Sequence, residues 1–590
     1  MKKVLIANRG EIAIRIARTC SDLGLKTVGI YSEDDSNSLH LSKVDEAFKI
    51  EGNGAQAYLN IKEIIAVAKK SKVDAIHPGY GFLSENPSFA SAAKRAKIKF
   101  VGPNERTLKI FGDKTSAKEL ALSLGIPVIA GTKQKTTLKQ AQDFLKSLKK
   151  NSSVVIKAIS GGGGRGMRVV SKPDDLKESF DRASSEAKAS FDSPDLYLEE
   201  YLRDYRHIEF QILGDGTGAV SHLHERECSI QRRYQKLIEI APSPSLNVEL
   251  KSRMIEASLA LTQKLKYEGL ATIEFLVNIE KNDFRFIECN PRLQVEHTVT
   301  ESVLSLDLVR AQLQIASGKT LKQIKLEQEN IPEPQGYAIQ SRVNMETIDS
   351  QGNANPGGGI FENFDLPSGP GVRADSYGYA GYQTNPLFDS LIAKIITYAS
   401  GDNFKQAINR NYRSLCEFKI SGVPTNLSLL KNILVNKDFK NNKVHTNFFE
   451  DNLDTLTSLK DHSDLSDINR SISKNIPKRG KIEDLDPLAV LDHGKSGGVF
   501  VDQSENILEL QQLDIKEGYE SVNAPMQGMI VKFNVKVGDS VWEGKTLGIM
   551  EAMKMEHEIT SQVSGVVEEI SVSNLDTVFE GHSLMLIRLA

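Results

Sequence analysis

The chain has 590 residues, enough for about four folded units at roughly 150 residues per domain, which excludes a single small binding module. Its 74 Lys and Arg residues nearly balance 77 Asp and Glu residues, so the formal charge of -3 provides no basic field for nucleic acid or an anionic membrane. With 40% hydrophobic and 26% charged residues, the composition is typical of a soluble globular protein. We therefore expect small molecules or proteins as partners.

Four separate cysteines and a short apolar start bear on the cellular compartment. Cys20, Cys228, Cys289 and Cys416 form neither a disulfide framework nor a CxxC metal motif, which fits a reducing cytosol. The opening MKKVLIA resembles the start of a signal peptide, but Asn8 ends the apolar run, and no apolar stretch long enough to span a membrane follows. We therefore predict a cytoplasmic protein with no membrane segment.

The first 112 residues alternate short apolar runs with helical periodicity. The pattern predicts three strands and one helix in this order: Val4–Ala7, the helix Glu11–Leu23, Thr27–Tyr31 and Asp74–His77. Asn86 before Pro87 should cap a further helix that runs to about Lys97. Such alternation is typical of a parallel α/β domain.

Composition divides the rest of the chain into further segments. Residues 113–205 contain a glycine cluster, charged strands and helices continue to about 330, and an α+β pattern runs from there to about 450. Residues 451–520 are polar and poor in aromatic side chains, which is typical of a mobile connector. Within that connector, GGVFVDQSENILEL is a candidate hairpin.

The last 70 residues contain an internal repeat. Gly528–Met550 aligns without a gap on Gly565–Ile587, and Trp542 is matched by Phe579. Both copies alternate with a period of two, so we predict two small sets of strands that pack as a sandwich. The junction 551–557, EAMKMEH, should then form an exposed turn.

Lys554 lies near the middle of that junction, between Met553 and Met555. Two exposed methionines gain nothing from water, so recognition by another protein is favoured over an ordinary hairpin tip. A lysine on a rigid tip suits enzymatic amide attachment of a cofactor. Residues 521–590 resemble a biotinyl carrier domain, whose AMKM motif implies biotin on Lys554. Lipoyl domains share this fold but usually lack methionine on both sides of the lysine.

A run of glycines, SGGGGRG at 160–166, follows the apolar residues Val154–Ile156 and Lys157. Successive glycines let backbone N–H groups close around phosphate oxygens, and Lys157 would add a positive charge. The run is neither a Walker A loop nor a dinucleotide fingerprint. It predicts a nucleoside triphosphate site, with a flexible loop tip as the alternative.

Two apolar runs, Ala271–Asn278 and Phe284–Asn290, flank a polar turn. A hairpin centred near Lys281 would place Glu274 opposite Glu288, with Asn290 on the same face. Apposed carboxylates repel unless a cation lies between them, and oxygen ligands beside a triphosphate suit Mg²⁺ or Mn²⁺. Two solvated glutamates are the alternative.

The next residues, NPRLQVEH, place Arg292, Gln294 and Glu296 two positions apart, hence on one side of an extended chain. Arg292 could bind a small planar anion while Glu296 accepts its proton. The basic segment CSIQRRYQK, which ends at Lys236, supplies further cationic donors. Together these segments predict a reaction on an anionic substrate.

Five segments carry a resemblance over nearly the whole chain: HPGYGFLSEN, GGGGRGM, ECSIQRRYQK, FIECNPRLQVEH and EAMKMEH. The chain resembles the fused biotin carboxylase and biotin carrier subunit of an acyl-CoA or related carboxylase. The resemblance implies an α/β multidomain fold with these parts: a Rossmann-like N-terminal domain (1–112), an ATP-grasp domain (113–330, with a lid-containing part at 113–205), an α+β C-terminal biotin carboxylase domain (331–450), a connector that could dock a partner (451–520), and an all-β, lipoyl-like biotinyl sandwich (521–590).

The resemblance also implies roles for the matching residues. ATP would be bound by Lys114, Lys157, Gly163, Gly164, Glu199, Leu202, His207 and Gln231, with Tyr234 at a position where the family commonly has His. Mg²⁺ or Mn²⁺ would be held by Glu274, Glu288 and Asn290. Bicarbonate would be bound by Lys236, Arg292 and the Val295 amide. Glu296 would deprotonate bicarbonate, Arg342 would stabilise the biotin enolate, and Tyr80 would lie at the biotin pocket.

The implied activity is carboxylation of the chain's own biotin, with ATP and bicarbonate as substrates and carboxyphosphate as the intermediate. Because no carboxyltransferase segment follows residue 590, we expect a hetero-oligomer in which carboxybiotin reaches a separate carboxyltransferase (beta) subunit that uses an acyl-CoA of the acetyl- or propionyl-CoA type. A biotin protein ligase would be a further partner. The alternatives are the biotin carboxylase and carrier subunit of a pyruvate carboxylase, a non-catalytic carrier scaffold, and an ATP-grasp ligase with a lipoyl-type tail.

Overall fold

The computed structural model describes residues 1–132, 135–149, 152–159, 167–191, 193–458, 518–552, 555–574 and 576–589. The chain divides into two compact units, residues 1–460 and 461–590, and each is described by itself. Within the described ranges, no helix combines the length and the apolar character that a membrane crossing requires.

The first unit begins with a parallel α/β domain. Its elements are β1 (Lys3–Ile6), α1 (Gly10–Asp22), β2 (Lys26–Tyr31), β3 (Glu46–Lys49), α2 (Gly54–Ala57), α3 (Ile61–Lys70), β4 (Ala75–His77), α4 (Pro87–Arg95), β5 (Lys99–Phe100) and α5 (Glu105–Gly112). The five strands form a parallel sheet in the order β3-β2-β1-β4-β5. The side chain of Asn86 accepts a hydrogen bond from the Phe89 amide, so the predicted cap of α4 is confirmed.

A smaller antiparallel sheet follows. The elements are α6 (Lys114–Ser123), α7 (Leu138–Ser147), β6 (Ser153–Ala158), β7 (Met167–Val170), α8 (Leu176–Phe191) and β8 (Leu196–Tyr201). The strand order is β7-β6-β8. The glycine run lies between β6 and β7, so Gly163 and Gly164 fall outside the described residues.

The remainder of the first unit is built on an eight-stranded sheet. The strands are β9 (Arg206–Asp215), β10 (Val220–Arg232), β11 (Gln235–Ala241), β12 (Glu268–Asn278), β13 (Asp283–Asn290), β14 (Tyr337–Asn344), β15 (Glu346–Ile348), β16 (Ala354–Pro356), β17 (Asn363–Asp365), β18 (Val372–Ser376), β19 (Leu391–Ala399) and β20 (Lys419–Ser421). The helices are α9 (Val248–Lys264), α10 (His297–Leu304), α11 (Leu308–Ala316), α12 (Leu321–Ile324), α13 (Phe404–Glu417), α14 (Leu427–Val435), α15 (Lys437–Lys440), α16 (Phe448–Asp451) and α17 (Leu453–Thr457). Eight of these strands form the large sheet, in the order β13-β12-β9-β10-β11-β14-β19-β18, and the other four form the two-stranded sheets β15-β16 and β17-β20.

This sheet continues across residue 330, where the sequence predicts a domain boundary. Strand β11 pairs with β14, and Ile238 lies opposite Ser341. Strands from both sides of the predicted boundary therefore share one hydrogen-bonded surface, and β14 is held beside the strands that carry most of the predicted site.

The start of the predicted connector is folded. Leu453–Thr457 forms helix α17, and the Leu456 side chain is buried. The Asn432 side chain donates hydrogen bonds to the carbonyl oxygens of Leu456 (2.8 Å) and Ser458 (2.9 Å). The prediction of a mobile connector from 451 is therefore wrong for these first residues, because the buried Leu456 side chain and the hydrogen bonds from Asn432 attach them to the core. The candidate hairpin lies outside the described residues.

The second unit is all-β. Its strands are β21 (Tyr519–Asn523), β22 (Gly528–Phe533), β23 (Ser540–Val541), β24 (Thr546–Ala552), β25 (Met555–Thr560), β26 (Gly565–Ile570), β27 (Thr577–Val578) and β28 (Ser583–Leu589). They form two four-stranded sheets, β21-β28-β26-β23 and β25-β24-β22-β27. Each sheet combines strands of both repeat copies, and the two sheets share one apolar core.

The internal repeat is confirmed strand by strand. β22, β23 and β24 recur 37 positions later as β26, β27 and β28. Ile530 and Leu547 occupy the core in the first copy, and Val567 and Leu584 occupy the matching positions in the second. Strands β24 and β25 pair as far as Ala552 opposite Met555, so only residues 553–554 join them. Lys554 lies outside the described residues.

Candidate active site

The large sheet brings together side chains from distant parts of the sequence. The predicted site residues on its strands are His207 (β9), Gln231 (β10), Lys236 (β11), Glu274 (β12), Glu288 and Asn290 (β13), and Arg342 (β14). Six consecutive strands of the sheet order therefore contribute to one site.

The hairpin of β12 and β13 has the predicted register. Glu274 lies directly opposite Glu288, and the Asn290 amide donates a hydrogen bond to the Glu274 carboxylate. Glu274 also lies 2.6 Å from Nε2 of His207 and accepts a 2.9 Å hydrogen bond from Gln294. The Glu288 side chain is more open, at 36% exposed, with Nζ of Lys114 3.9 Å away.

These residues fit a divalent cation. Although burial opposes it, Lys236 and His207 lower the pKa of Glu274 to about 2, so this carboxylate is ionised at neutral pH. Two apposed carboxylates supply the hard oxygen donors that Mg²⁺ or Mn²⁺ prefers. The side-chain oxygen of Asn290, the third predicted ligand, accepts a 3.3 Å hydrogen bond from Arg292.

Glu296 lies between two cations. Its Oε1 atom is 2.6 Å from Nζ of Lys236, and its Oε2 atom accepts a 2.9 Å hydrogen bond from Arg342. Although burial alone would raise it, Lys236, Arg342 and Arg226 hold the pKa of the Glu296 carboxyl well below its usual range. Glu296 is fully buried and ionised, so it holds no proton and can accept one.

Two further carboxylates, both fully buried and neither predicted from the sequence, support this array. Glu209 lies 2.6 Å from Lys236, and Glu239 lies 2.5 Å from Nε of Arg342. Gln340 donates a 2.9 Å hydrogen bond to the other oxygen of Glu239. The only signal in the sequence was an acidic residue inside an otherwise apolar strand, which requires a buried partner.

The sequence pattern predicts Arg292 and Glu296 on one side of an extended chain, but the chain is not extended at Glu296. Arg292 donates to Glu85 (2.5 Å) and to Gln294 (3.0 Å), whereas Glu296 is directed to Lys236. The expectation assumed an extended chain, but Glu296 has φ -85° and ψ 7° and immediately precedes α10. Because the chain turns into helix α10 here, residues two positions apart no longer lie on one side of it.

The predicted nucleotide residues fall into two groups. Glu199 on β8 is buried and forms ion pairs with Lys157 (2.5 Å) and with Lys118. Lys114 and Lys118 line an adjacent cavity of about 700 Å³, a size that suits a small-molecule ligand. Lys118 was missed because a lysine inside a helix is usually solvated.

His207 and Gln231 lie beside Glu274, one of the predicted metal ligands. Nε2 of Gln231 lies 2.7 Å from Nδ1 of His207, whose other ring nitrogen faces Glu274.

Two further residues predicted at the nucleotide lie just outside strands. Leu202 directly follows β8 and is half-buried. Tyr234 lies in the turn between β10 and β11 with a left-handed φ of 67° and is 44% exposed.

Tyr80 and Val295 are linked through a buried lysine. The Tyr80 hydroxyl donates to Glu11, and Glu11 lies 3.0 Å from Nζ of Lys394. Lys394 donates a 3.2 Å hydrogen bond to the Val295 carbonyl oxygen. One ammonium group thus connects the start of α1 to the segment that leads into Glu296.

Comparison with known proteins assigns a family to this arrangement. Four family descriptions match: "Biotin carboxylase, N-terminal domain" (residues 1–108), "Carbamoyl-phosphate synthase L chain, ATP binding domain" (113–324), "Biotin carboxylase C-terminal domain" (340–451) and "Biotin-requiring enzyme" (520–587). The biotin carboxylase of Nostoc sp. is 43% identical over 451 residues, which cover 76% of this chain and 98% of that protein. This chain belongs to the biotin carboxylase family.

Other relatives of this chain are pyruvate carboxylases. Mitochondrial pyruvate carboxylase of Homo sapiens is 45% identical over 457 residues, covering 77% of this chain and 38% of that protein. The chain therefore spans well under half the length of that pyruvate carboxylase. A pyruvate carboxylase subunit of Methanothermobacter thermautotrophicus is 43% identical, and the match covers 76% of this chain and 89% of that protein.

Solved structures agree with the family. The biotin carboxylase domain of Hydrogenobacter thermophilus 2-oxoglutarate carboxylase, in complex with MgADP, ADP and bicarbonate, gives a TM-score of 0.73 at 39% identity, covering 78% of this chain and 99% of that chain. A single-chain, multi-domain long-chain acyl-CoA carboxylase gives 0.69 at 33% identity, covering 100% of this chain and 51% of that chain.

The comparisons confirm the predicted fold class and the predicted biotin, ATP and magnesium at the level of the family. They do not confirm the predicted acyl-CoA carboxylase identity, because pyruvate carboxylases are prominent among the relatives.

Proposed function

We propose that this protein carboxylates biotin attached to its own Lys554, using ATP and bicarbonate. The observation that carries the proposal is the array of Lys236, Glu296 and Arg342, which places one ionised carboxylate between two buried cations. Such an array suits a reaction in which a small anion must lose a proton without leaving a cationic pocket.

The proposed chemistry assigns one task to each group. Glu296 accepts the proton of bicarbonate, and the anion so formed attacks the terminal phosphate of ATP, which releases ADP and gives carboxyphosphate. Carboxyphosphate breaks down to carbon dioxide and phosphate, the phosphate takes the ureido proton of biotin, and the ureido nitrogen attacks carbon dioxide to form carboxybiotin. Lys236 and Arg292 are the cations that hold bicarbonate, and Arg342 is the cation that a deprotonated ureido nitrogen of biotin requires. Mg²⁺, held by Glu274 and Glu288, would neutralise phosphate charge. As part of this proposal we keep the domain boundaries at 112, 330 and 520, and we place the start of the connector after helix α17 instead of at residue 450.

For the acceptor, we propose pyruvate or a related 2-oxo acid, bound by a separate carboxyltransferase subunit. The pyruvate carboxylase subunit of Methanothermobacter thermautotrophicus supports this assignment, because 89% of its length is matched by this chain. The human pyruvate carboxylase and the 2-oxoglutarate carboxylase domain point to the same class of acceptor. A cytoplasmic location and modification by a biotin protein ligase belong to the proposal.

An acyl-CoA acceptor is the second candidate. The long-chain acyl-CoA carboxylase structure covers 100% of this chain, including the biotinyl unit, whereas the match to the Methanothermobacter pyruvate carboxylase subunit covers 76%. The carboxylation of biotin is the same for both candidates, so the acceptor must be tested with the partner present.

The test uses the biotinylated full chain isolated with its native partner. We expect ADP release that depends on bicarbonate, followed by transfer of labelled carbon to pyruvate and not to acetyl-CoA or propionyl-CoA. Transfer to an acyl-CoA would replace the first acceptor by the second, and ADP release independent of bicarbonate would overturn the proposed activity.

A further inference from the structure

Lys118 stands out because it contacts the nucleotide region but has no role in the reaction described above. It lies one helical turn after Lys114 in α6, so both side chains project from the same face of the helix. Both line the cavity of about 700 Å³, together with Tyr197 and Ile159. Lys118 also lies 5.8 Å from the centroid of the Tyr197 ring, within the range of a cation–π contact.

The partner of Lys118 is the buried carboxylate of Glu199. Lys118 binds Oε1 of Glu199, and Lys157 binds Oε2 at 2.5 Å. The side chain of Glu199 is only 3% exposed, and those of the two lysines are 18% and 16% exposed. Two ammonium groups therefore hold one shielded carboxylate, one at each oxygen.

Lys157 has a second possible partner. Its ammonium group lies near those of Lys114 and Lys118, which line the cavity, so a polyanion bound in that cavity would attract all three lysines. Burial and the neighbouring Lys114 lower the pKa of Lys118 to about 8. Burial, together with the charges of Lys114 and Lys118, lowers the pKa of Lys157 to about 7. An incoming polyanion would relieve this repulsion between ammonium groups.

If Lys157 moves to a phosphate, Glu199 loses one of its two cations. A buried carboxylate left without any partner is strongly destabilised. We infer that Lys118 is a positioning residue, which keeps the Glu199 carboxylate paired and in place while Lys157 transfers from Glu199 to the phosphates of the bound nucleotide. This inference rests on the proposed function, because it requires ATP in this site.

The test is a double-substitution cycle on the biotinylated full chain. ATP affinity is measured by equilibrium binding, and KM and kcat are measured by bicarbonate-dependent ADP release. We expect K118M to weaken ATP binding and raise the KM for ATP by about tenfold or more, with a much smaller change in kcat. We expect K118R to restore near-normal binding, and K118M to have less than about a twofold effect in an E199Q background.

The outcomes separate this inference from its alternatives. An equal loss of ATP affinity in both backgrounds would mean that Lys118 contacts the phosphates directly, and unchanged affinity would mean that it has no role; either result overturns the inference. If K118M fails to fold, K118Q in both backgrounds gives the same cycle. Failure of the unsubstituted protein to bind ATP would overturn the proposed function as well.

Discussion

The guanidinium group of Arg342 donates a 2.9 Å hydrogen bond to Oε2 of Glu296, which joins strand β14 to the residue that precedes helix α10. Lys236 occupies the other oxygen of the same carboxylate. Because the pKa of Glu296 is held well below its usual range, the carboxylate is ionised throughout the neutral range. Its protonation should therefore not limit the reaction near pH 7.

Replacing Glu296 by Gln removes the proton acceptor but keeps the shape of the side chain. We expect bicarbonate-dependent ADP release to fall by about a hundredfold or more, with ATP affinity within about threefold of normal. Steady-state kinetics and equilibrium ATP binding measure the two effects. An equal loss of ATP affinity would contradict the role of Glu296 as the base.

Glu239→Gln is the matched control. Glu239 is also fully buried and contacts Arg342 at 2.5 Å, but the proposed proton transfer takes place at Glu296 and does not involve it. We expect this variant to keep at least about ten times the activity of Glu296→Gln. Equal activities would mean that the loss reflects the missing partner of Arg342.

Glu288→Gln tests the metal assignment. Glu288 is the more open of the two apposed carboxylates, so its loss should disturb metal binding more than folding. We expect the Mg²⁺ concentration for half-maximal ADP release to rise at least about tenfold. Glu280→Gln, in the exposed turn of the same hairpin, should leave the Mg²⁺ dependence unchanged. A normal Mg²⁺ dependence in Glu288→Gln would remove Glu288 from the set of ligands.

His40 should make stability depend on pH. Burial lowers its pKa from 6.5 to about 4, and its ring nitrogens face the hydroxyl of Ser38 (2.8 Å) and the carbonyl oxygen of Ile30 (3.1 Å). The unfolded chain binds a proton near pH 6.5, but the folded chain does so only near pH 4. Stability should therefore fall as the pH falls through this window, by about 3 kcal/mol in total for this residue.

The measurement is the urea midpoint of the full chain and of His40→Gln at pH 7.5 and pH 5. At pH 7.5 the histidine is neutral in both the folded and the unfolded chain, so the difference between the two proteins at that pH reports the packing and hydrogen bonds of the side chain without its titration. We expect the variant to lose less stability than the unsubstituted chain between the two pH values. A parallel decrease in both proteins would show that other groups cause the acid sensitivity.

The sequence predicted the parts of the site that depend on local pattern. The alternation of strands and helices predicted the parallel sheet, two apolar runs around Lys281 predicted the pairing of Glu274 with Glu288, and the repeat predicted the sandwich. Each of these relations is set by residues close together or by an aligned copy.

Residues that are far apart in the sequence and meet only in the fold leave no local sequence pattern from which their contact could be predicted. Strand β11 meets β14 about a hundred residues later, and only that pairing places Glu239 beside Arg342. Likewise, Lys118 and Glu199 are 81 residues apart and look like ordinary helix and strand residues in isolation. Arg292 and Glu296 were predicted from an extended geometry that the turn before α10 does not keep.

Lys554→Arg tests the carrier assignment. We expect intact-mass analysis to show biotin on the unsubstituted chain and none on the variant, while carboxylation of free biotin by the variant stays within about twofold of normal. Lys532→Arg, at an exposed lysine on β22 of the same unit, is the control and should remain biotinylated. Loss of free-biotin carboxylation in Lys554→Arg would give that lysine a different role.

The most direct test of the proposed activity is transfer of labelled carbon from bicarbonate to the protein. The biotinylated full chain is incubated with ATP, Mg²⁺ and radiolabelled bicarbonate, and the acid-labile label retained by the protein is counted. We expect close to one label per biotin, lost when ATP is omitted or when Lys554 is replaced. Absence of label on fully biotinylated, folded protein would contradict the proposed activity.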